Sequence, residues 1–315
     1  MHALSLRTKL LLFVTLILLL SSAITTGMLW HSLHQANQEI VDKVTQALSD
    51  EVTHSLTGQG GIYGEQISTF INQAYQTPLA VANALRQQLD NPAQALTRPQ
   101  LENQLHGILA GNEHISSIYA QFEPDGYADK DADWRSSTTM HSVKDKGTLE
   151  LYFIRNRQGQ VEQQSIDVKT SDSKYDTTLN EFGIRNGEWY LCARDTLKPC
   201  LMEPYQYEIS PGYSELMTSL TVPILRQGKF VGVTGVDLNL PIFQQLAEKL
   251  AASLYQGKSQ VLLLSAKGLV VGSSGHKDKL GRPLTELPAA EKEAWQQLLQ
   301  ASSGQWQQAD QLLVR

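Results

Sequence analysis

The segment Gly228-Lys229-Phe230-Val231-Gly232-Val233-Thr234-Gly235-Val236-Asp237 predicts a buried strand that ends on a carboxylate. Strand alternation places Asp237 on the same face as Val231, Val233 and Gly235. A buried carboxylate costs free energy unless a partner satisfies it, and no basic residue lies between Phe230 and Asp237. A bound cationic group would satisfy it. The alternative is that Asp237 caps a helix that begins near Pro241 or accepts hydrogen bonds from loop amides.

Further strands precede this segment. Alternating apolar patterns predict them at His114–Phe122, Thr148–Arg155, Gly187–Ala193, Cys200–Ile209 and Leu216–Leu225, besides Lys229–Leu238. Gln227-Gly228 predicts a tight hairpin, and the polar run Thr170–Asp176 predicts a loop. Strands joined mainly by hairpins after a long helix are typical of an α+β domain on an antiparallel sheet. We assign residues 91–240 to this domain.

Aromatic and acidic residues concentrate on two of these predicted strands. Glu188-Trp189-Tyr190-Leu191 lies on one, and Glu203-Pro204-Tyr205-Gln206-Tyr207-Glu208 lies on the next. With Asp237 they would suit a cationic ligand, because the faces of Trp and Tyr attract cations. The alternative interpretation is an ordinary aromatic sheet core.

Residues 10–30 form an uncharged N-terminal segment that follows Arg7 and Lys9. Its 21 residues rise about 31 Å as a helix, which is enough to cross a bilayer core. The positive flank places residues 1–9 in the cytoplasm and the chain after Trp30 outside it, with this single membrane span. The alternative is a cleaved signal peptide, with Ser21-Ser22-Ala23 as its small residues. Both interpretations export the rest of the chain.

Residues 31–90 carry apolar side chains at three- and four-residue steps, which predict helix. We expect an interruption at Gly58, Gly60 and Gly61, and Pro78 as the site of a kink. Such a helix suits a stalk in a homodimer. The alternative is a helix that packs along its own domain.

Residues 241–315 predict the start of a second sheet domain. Pro241 opens a helix, and two strands follow, Val261–Ala266 and Leu269–Ser273, joined at Lys267-Gly268. A helix at Ala289–Ala301 and a strand at Gln311–Val314 complete the pattern. Because closing strands are missing, which would expose a sheet edge, we expect this module to be truncated.

Composition and motifs exclude several classes of function. The net charge of −6 argues against a nucleic-acid surface. The sequence contains no P-loop, G-x-S-x-G or H-E-x-x-H motif, so we predict no catalytic site, metal site or cofactor. The acidic cluster Asp125, Asp129, Asp131 and Asp133 predicts a solvated loop. Cys192 and Cys200 are spaced wrongly for zinc, and export permits a disulfide between them.

The order of these features resembles the double-Cache sensor domains of bacterial methyl-accepting chemotaxis receptors. The residues that carry the resemblance are Phe122-Glu-Pro-Asp125, Lys130-Asp131-Ala132-Asp133, Trp189-Tyr190, Glu203-Pro204-Tyr205, Met217-Thr218, Val222-Pro223 and Gly228–Asp237. The resemblance implies an α+β fold with an N-terminal transmembrane helix and a long stalk helix. A membrane-distal PAS-like ligand-binding module (91–240) and an incomplete membrane-proximal PAS-like module (241–315) would follow. It places the chain in the bacterial inner membrane, with residues after 30 in the periplasm.

The resemblance also implies a ligand site, because some members of the family bind amino acids through a known motif. Carried over by position, the motif assigns ligand contacts to Phe182, Trp189, Tyr190, Tyr205 and Asp237. Two positions depart from it. Gly187 stands where the motif has a carboxylate-binding Arg, and Tyr207, which we keep in the site, stands where it has a second Asp. Arg185 is the nearest substitute on the same face of the predicted strand.

These residues predict a small-molecule sensor that is not an enzyme. The retained Asp237 and aromatics favour an amine, polyamine, quaternary ammonium or amino-acid-like ligand, with a purine or a carboxylate as alternatives. Ligand binding would shift the module between two packings and displace the stalk helix. The alternatives are the sensor region of a histidine kinase or of a cyclic-dinucleotide enzyme, and an adhesion or envelope protein without a ligand pocket.

Overall fold

The computed structural model describes residues 5–210, 212–288, 292, 305–308 and 311–314. The chain divides into two compact units, Met1–Gly61 with Ala301–Arg315, and Ile62–Gln300. The helices are α1 Leu6–Asp90, α2 Arg98–Ala110, α3 Val168–Ser173, α4 Glu188–Thr196 and α5 Pro241–Ser253. The strands are β1 Ser117–Phe122, β2 Glu150–Arg155, β3 Val161–Gln163, β4 Cys200–Leu201, β5 Tyr205–Ser210, β6 Tyr213–Arg226, β7 Lys229–Asn239, β8 Leu262–Leu264, β9 Val270–Ser273, β10 Gln305–Gln308 and β11 Gln311–Val314. The predicted α+β class is confirmed.

Helix α1 is continuous over 85 residues. The interruption predicted at Gly58, Gly60 and Gly61 is therefore wrong. Each glycine weakens a helix by about 1 kcal/mol relative to alanine, which the helix-forming residues on both sides outweigh. Among the described residues, α1 is the helix with a window long and apolar enough to cross a membrane, at a mean hydropathy of 2.2. Its residues 10–30 are exposed throughout, which suits contact with lipid.

The strands of the Ile62–Gln300 unit build a seven-stranded sheet in the order β3-β2-β1-β7-β6-β4, and β5 also pairs with β6. Every pairing in this sheet is antiparallel. The hairpin predicted at Gln227-Gly228 joins β6 to β7, and both of its residues have positive φ. The hairpin therefore pairs β6 with β7, the long central strand on which Asp237 lies.

The two faces of the sheet pack against different partners. One face packs against the C-terminal part of α1 and against α2, through Leu85, Leu89, Leu101 and Leu105. The other face is rich in tyrosine and packs against α4 through Tyr190 and Ala193. The first face belongs to an ordinary, mostly aliphatic hydrophobic core. The second, with its hydroxyl groups, is the face on which Asp237 lies.

Two glycines of the opening segment allow β1 and β7 to approach closely. A Cβ on Gly232 would lie 2.5 Å from the carbonyl oxygen of Gln121. A Cβ on Gly235 would overlap the Tyr119 hydroxyl oxygen. The glycines therefore make room for a neighbouring backbone and for a buried phenol ring.

The strand predicted at Gly187–Ala193 is wrong, because residues 188–196 form helix α4. A short apolar run is compatible with the repeat of a helix and with that of a strand. Here packing favours the helix, because α4 buries Tyr190, Leu191 and Ala193 together. The loop predicted at Thr170–Asp176 is also partly wrong, because it overlaps helix α3. Asp167 caps that helix by accepting a hydrogen bond from the Thr170 amide at 2.7 Å.

The acidic cluster predicted to be a solvated loop instead partners a buried arginine. Arg98 is 0% exposed. Its guanidinium donates to Asp129 Oδ1 at 2.8 Å and to Asp131 Oδ1 at 2.9 Å, and it lies 4.8 Å from the centre of the Trp134 ring. The spacing of the four aspartates contained no sign of this distant partner.

The second module contains α5, β8 and β9 within the described residues 241–288. β8 and β9 pair antiparallel, as predicted for Val261–Ala266 and Leu269–Ser273. β11 forms where a strand was predicted at Gln311–Val314, and it pairs with β10. The helix predicted at Ala289–Ala301 lies, apart from Lys292, outside the described residues.

Candidate ligand-binding site

Asp237 lies in the middle of the sheet and is 1% exposed. Strand register places Ser117 of β1 and Ser219 of β6 directly beside it. The Ser219 hydroxyl donates to Asp237 Oδ1 at 2.5 Å, and the Ser117 hydroxyl donates to Oδ2. The Tyr205 hydroxyl donates to Oδ1 at 3.2 Å and the Tyr152 hydroxyl to Oδ2 at 3.3 Å. Four neutral donors therefore surround this carboxylate.

The environment of Asp237 favours its neutral form more than water does. Burial raises the pKa of Asp237 above its ordinary value of 3.8, and the hydroxyl hydrogen bonds from Ser117 and Ser219 oppose this shift. Burial also raises the pKa of Tyr205 and Tyr152 well above 10.0. Both phenols therefore remain protonated hydrogen-bond donors at neutral pH.

The raised pKa of Asp237 predicts that stability falls as pH rises. The folded state binds this proton more tightly than the unfolded state, so the free energy of unfolding decreases from about pH 4 up to the folded-state pKa, and then levels off. Asp237→Asn does not titrate and is expected to lack this decrease. Urea unfolding of both proteins from about pH 4 to 8 measures the difference. A difference that is independent of pH would contradict the raised pKa.

A cavity of about 530 Å³ opens on the tyrosine-rich face. Predicted site residues that line it are Phe182, Trp189, Tyr205 and Tyr207. Other residues that line it are Asn180, Glu181, Ile184, Arg185, Asn186, Glu188, Met202, Glu203, Pro204, Gln206, Leu216, Leu280, Gly281 and Arg282. The structure thus brings four of the six predicted residues to one cavity.

The other two predicted residues do not line the cavity. Asp237 lies beneath it and is connected to it through the Tyr205 hydroxyl. Tyr190 packs edge-on behind Trp189, with ring centres 5.6 Å apart, and its hydroxyl donates to Glu123 Oε1 at 2.8 Å. Tyr190 supports the cavity wall from behind.

Both arginines of the cavity already hold carboxylates. Arg185, the substitute considered for the missing motif arginine, donates to Glu188 at 2.5 Å and to Asp195 at 2.7 Å. These two partners raise the pKa of Arg185. Gly187 has no room for the motif arginine, because a Cβ there would lie 2.6 Å from the carbonyl oxygen of Lys174. Arg282 likewise holds Glu286 and Glu181.

Glu203 is a cavity residue that motif reasoning did not select. Its Oε1 accepts a hydrogen bond from the Lys267 amide at 3.0 Å. Its Oε2 is buried and has no hydrogen-bond partner among the described residues. Glu203 belongs to the Glu203-Pro204-Tyr205 segment that carries the family resemblance, but only the fold shows that one of its oxygens lacks a partner among the residues described.

A disulfide joins the middle of α4 to the sheet. Cys192 Sγ and Cys200 Sγ are bonded at 2.05 Å, and Cys200 belongs to β4. On a chain-entropy argument, closing such a short loop stabilises the fold by about 2.6 kcal/mol. The bond keeps α4, and with it Trp189, against the edge of the sheet.

An antiparallel sheet with an aliphatic core on one face and a ligand-sized cavity on the other defines a PAS-like sensor module. Residues 101–245 match the family described as methyl-accepting chemotaxis protein-like, first PDC sensor domain. The resemblance to the double-Cache sensors of chemotaxis receptors is confirmed.

A related protein of known class is also a chemotaxis receptor. Methyl-accepting chemotaxis protein TlpQ of Pseudomonas aeruginosa is 28% identical over 291 residues, which cover 91% of this chain and 40% of that protein. This chain therefore spans less than half the length of that relative.

Two solved structures share the fold. One, described as methyl-accepting chemotaxis protein X, has a TM-score of 0.61 at 19% identity, covering 80% of this chain and 84% of the other. The periplasmic sensory domain of the Campylobacter jejuni chemoreceptor Tlp1 has a TM-score of 0.52 at 12% identity, covering 78% of this chain and 81% of the other. At these identities the likeness concerns the fold alone.

Proposed function

We propose that this chain is the ligand-sensing region of a transmembrane chemoreceptor and that it binds a small cationic amine in the cavity. The observation that carries the proposal is the pair of carboxylates at the cavity. Within the ranges that the structure describes, Glu203 Oε2 has no hydrogen-bond partner, and Asp237 is held below Tyr205 by neutral hydroxyls. Neither carboxylate has a basic side chain among its hydrogen-bond partners in the described part of the chain.

The cavity walls suit a cation. Trp189, Tyr205 and Tyr207 present aromatic surface, and such faces attract ammonium groups by about 0.5–2 kcal/mol, most strongly where water is excluded. A ligand carboxylate finds less support, because Arg185 and Arg282 are already paired. We therefore place amines ahead of purines and simple carboxylates, and an amino acid would have to bind chiefly through its amine.

We further propose that the chain acts as a homodimer in the inner membrane, with residues 10–30 spanning it and the sensor in the periplasm. Ligand binding would displace α1 and so bias the output. The proposed output is chemotactic signalling rather than catalysis by this chain, in keeping with the family match and the TlpQ relative. The full reading frame of the gene distinguishes this output from a kinase or a cyclic-dinucleotide enzyme.

Replacing Glu203 by glutamine tests the cation proposal. For the full chain in detergent, choline or putrescine at one hundred times its Kd is expected to stabilise by about 2.7 kcal/mol, a rise in Tm of about 5 °C. Glu203→Gln removes one charge-assisted contact, so we expect affinity to fall about tenfold. Titration calorimetry measures this change.

Glu208→Gln is the matched control, because Glu208 is an exposed carboxylate on β5 outside the cavity lining. It is expected to leave affinity unchanged. If acetate or adenine stabilises the protein while both amines do not, the cavity takes another class of ligand and the proposal is wrong.

A further inference from the structure

The outer wall of the cavity is a loop that carries Phe182. Residues 178–186, named here the 178–186 loop, fold back on themselves: the Asn180 amide donates to the Ile184 carbonyl at 2.8 Å, and the Asn186 amide donates to the Thr178 carbonyl at 2.9 Å. Gly183 has a φ of +70° and forms the turn at the tip. The loop is therefore a small unit closed by its own hydrogen bonds.

The second module holds the tip of this loop. Arg282 Nη1 donates to Glu181 Oε1 at 3.0 Å, and the guanidinium carbon lies 5.7 Å from the centre of the Phe182 ring. Lys267 Nζ donates to the Gly183 carbonyl at 3.4 Å. These contacts join residues that are far apart in sequence beside the cavity. The ion pair between Arg282 and Glu181 is named here the latch.

The second module also presents Arg282 in a fixed orientation. Its Nε and Nη2 donate to Glu286 Oε1 at 3.0 and 2.6 Å. Because a guanidinium is a planar fork, holding one edge on Glu286 points the other edge at the loop. The side chains of Arg282 and Glu181 are 42% and 62% exposed. An ion pair so exposed is weak, which allows it to open and close readily.

We propose that the 178–186 loop is a lid over the cavity and that the latch, which Arg282 of the second module forms with Glu181, holds this lid in place. Entry to the cavity of the first module then depends on a contact with the second module. Since Phe182 and Arg282 both line the cavity, an occupant touches both sides of the latch, and the second module responds to occupancy directly. This inference rests on the proposed role of the cavity as a ligand site, but it can be measured without a ligand.

Hydrogen–deuterium exchange of the full chain in detergent tests the latch. In Arg282→Gln we expect the amides of the 178–186 loop to exchange about two- to fivefold faster, the change expected for an exposed ion pair of ordinary strength. Glu181→Gln should have a similar or smaller effect, because it removes the ion pair and leaves the contact between Arg282 and Phe182. The double variant should match Arg282→Gln, because both substitutions remove the same ion pair. Lys267→Ala removes a separate contact, that with the Gly183 carbonyl, so its effect on exchange should add to the effect of Arg282→Gln.

Two controls separate the latch from other effects. Glu286→Gln keeps a side-chain oxygen that can accept from Arg282 and so preserve its orientation, and it leaves Glu181 available, so exchange in the loop should rise less than in Arg282→Gln. Amides of β6 and β7 report global stability and should not change in any variant. Acrylamide quenching, with Trp189→Phe as the reference, should show that Trp189 becomes more accessible in Arg282→Gln.

Unchanged exchange in Arg282→Gln would overturn the proposal. So would additive effects of Arg282→Gln and Glu181→Gln, or an equal rise in β6 and β7. Because no amine enters these measurements, they can fail while the cation proposal stands, and the Glu203 experiment can fail while the latch stands.

Discussion

Asp237→Ala is expected to abolish stabilisation by amines and to lower the stability of the sensor itself. Four hydroxyl groups lose their shared acceptor, among them Tyr205, which lines the cavity. A hydrogen bond to a charged group contributes about 1.5–3 kcal/mol, and relief from burying a charge offsets part of the sum. We expect a net loss of about 2–4 kcal/mol and a drop of at least about 100-fold in affinity for choline or putrescine. Urea unfolding and calorimetry measure the two quantities.

Asp237→Asn is the matched variant that separates charge from packing. It keeps the size of the side chain and one carbonyl acceptor, so the stability loss should be smaller than for alanine. The affinity loss should be nearly as large, because an amide carries no charge to attract an ammonium group from beneath the Tyr205 hydroxyl. If Asp237→Ala responds to an amine as the unaltered protein does, Asp237 is not part of the site.

Arg98→Met is expected to cause the largest loss of stability in the first module, about 3–5 kcal/mol. Arg98 is fully buried, and its removal leaves Asp129 and Asp131 without their cation. The lost bonds to Ser142 Oγ and to the Gly147 carbonyl, at 2.9 and 2.5 Å, add to the cost. Urea unfolding followed by the fluorescence of Trp134, which stacks on Arg98, measures the effect.

A second substitution distinguishes uncompensated charge from lost packing. Adding Asp131→Asn to Arg98→Met removes one stranded carboxylate and should recover part of the lost stability. Lys277→Met is the control, because its pair with Glu248 is largely exposed and should contribute little. Full additivity of the Arg98 and Asp131 substitutions would contradict a direct charge interaction between them.

Local sequence pattern predicted the central strands well. The segment that ends at Asp237 alternates apolar and small residues and is followed at once by the Pro241 helix signal, and β7 and α5 form there. The hairpin at Gln227-Gly228 also depends on neighbours in sequence alone, since both residues adopt positive φ. Such features could be predicted because period and turn chemistry are local.

Helix α4 could not be predicted in the same way. The run from Glu188 to Ala193 contains aromatic and apolar residues that suit a strand as well as a helix. What favours the helix lies elsewhere in the chain: the close approach of Gly187 to Lys174 and the hydrogen bond from Tyr190 to Glu123. The same is true of Arg98, whose partners are about thirty residues away.

The sequence by itself determined an apolar N-terminal helix of membrane-spanning length, an antiparallel sheet, and a carboxylate placed at the end of its central strand. These features follow from the spacing of apolar residues along the chain and from the lengths of the apolar segments, which can be read without knowing any tertiary contact. Only the tertiary structure decided how Asp237 is satisfied, since its four hydroxyl partners come from β1, β2, β5 and β6. It also decided that Glu203 keeps an oxygen without a hydrogen-bond partner in the described part of the chain, and that Arg282 reaches the cavity from the second module. The physical reason is that burial and pairing are properties of groups brought together across the chain, whereas period and turn chemistry are properties of neighbours.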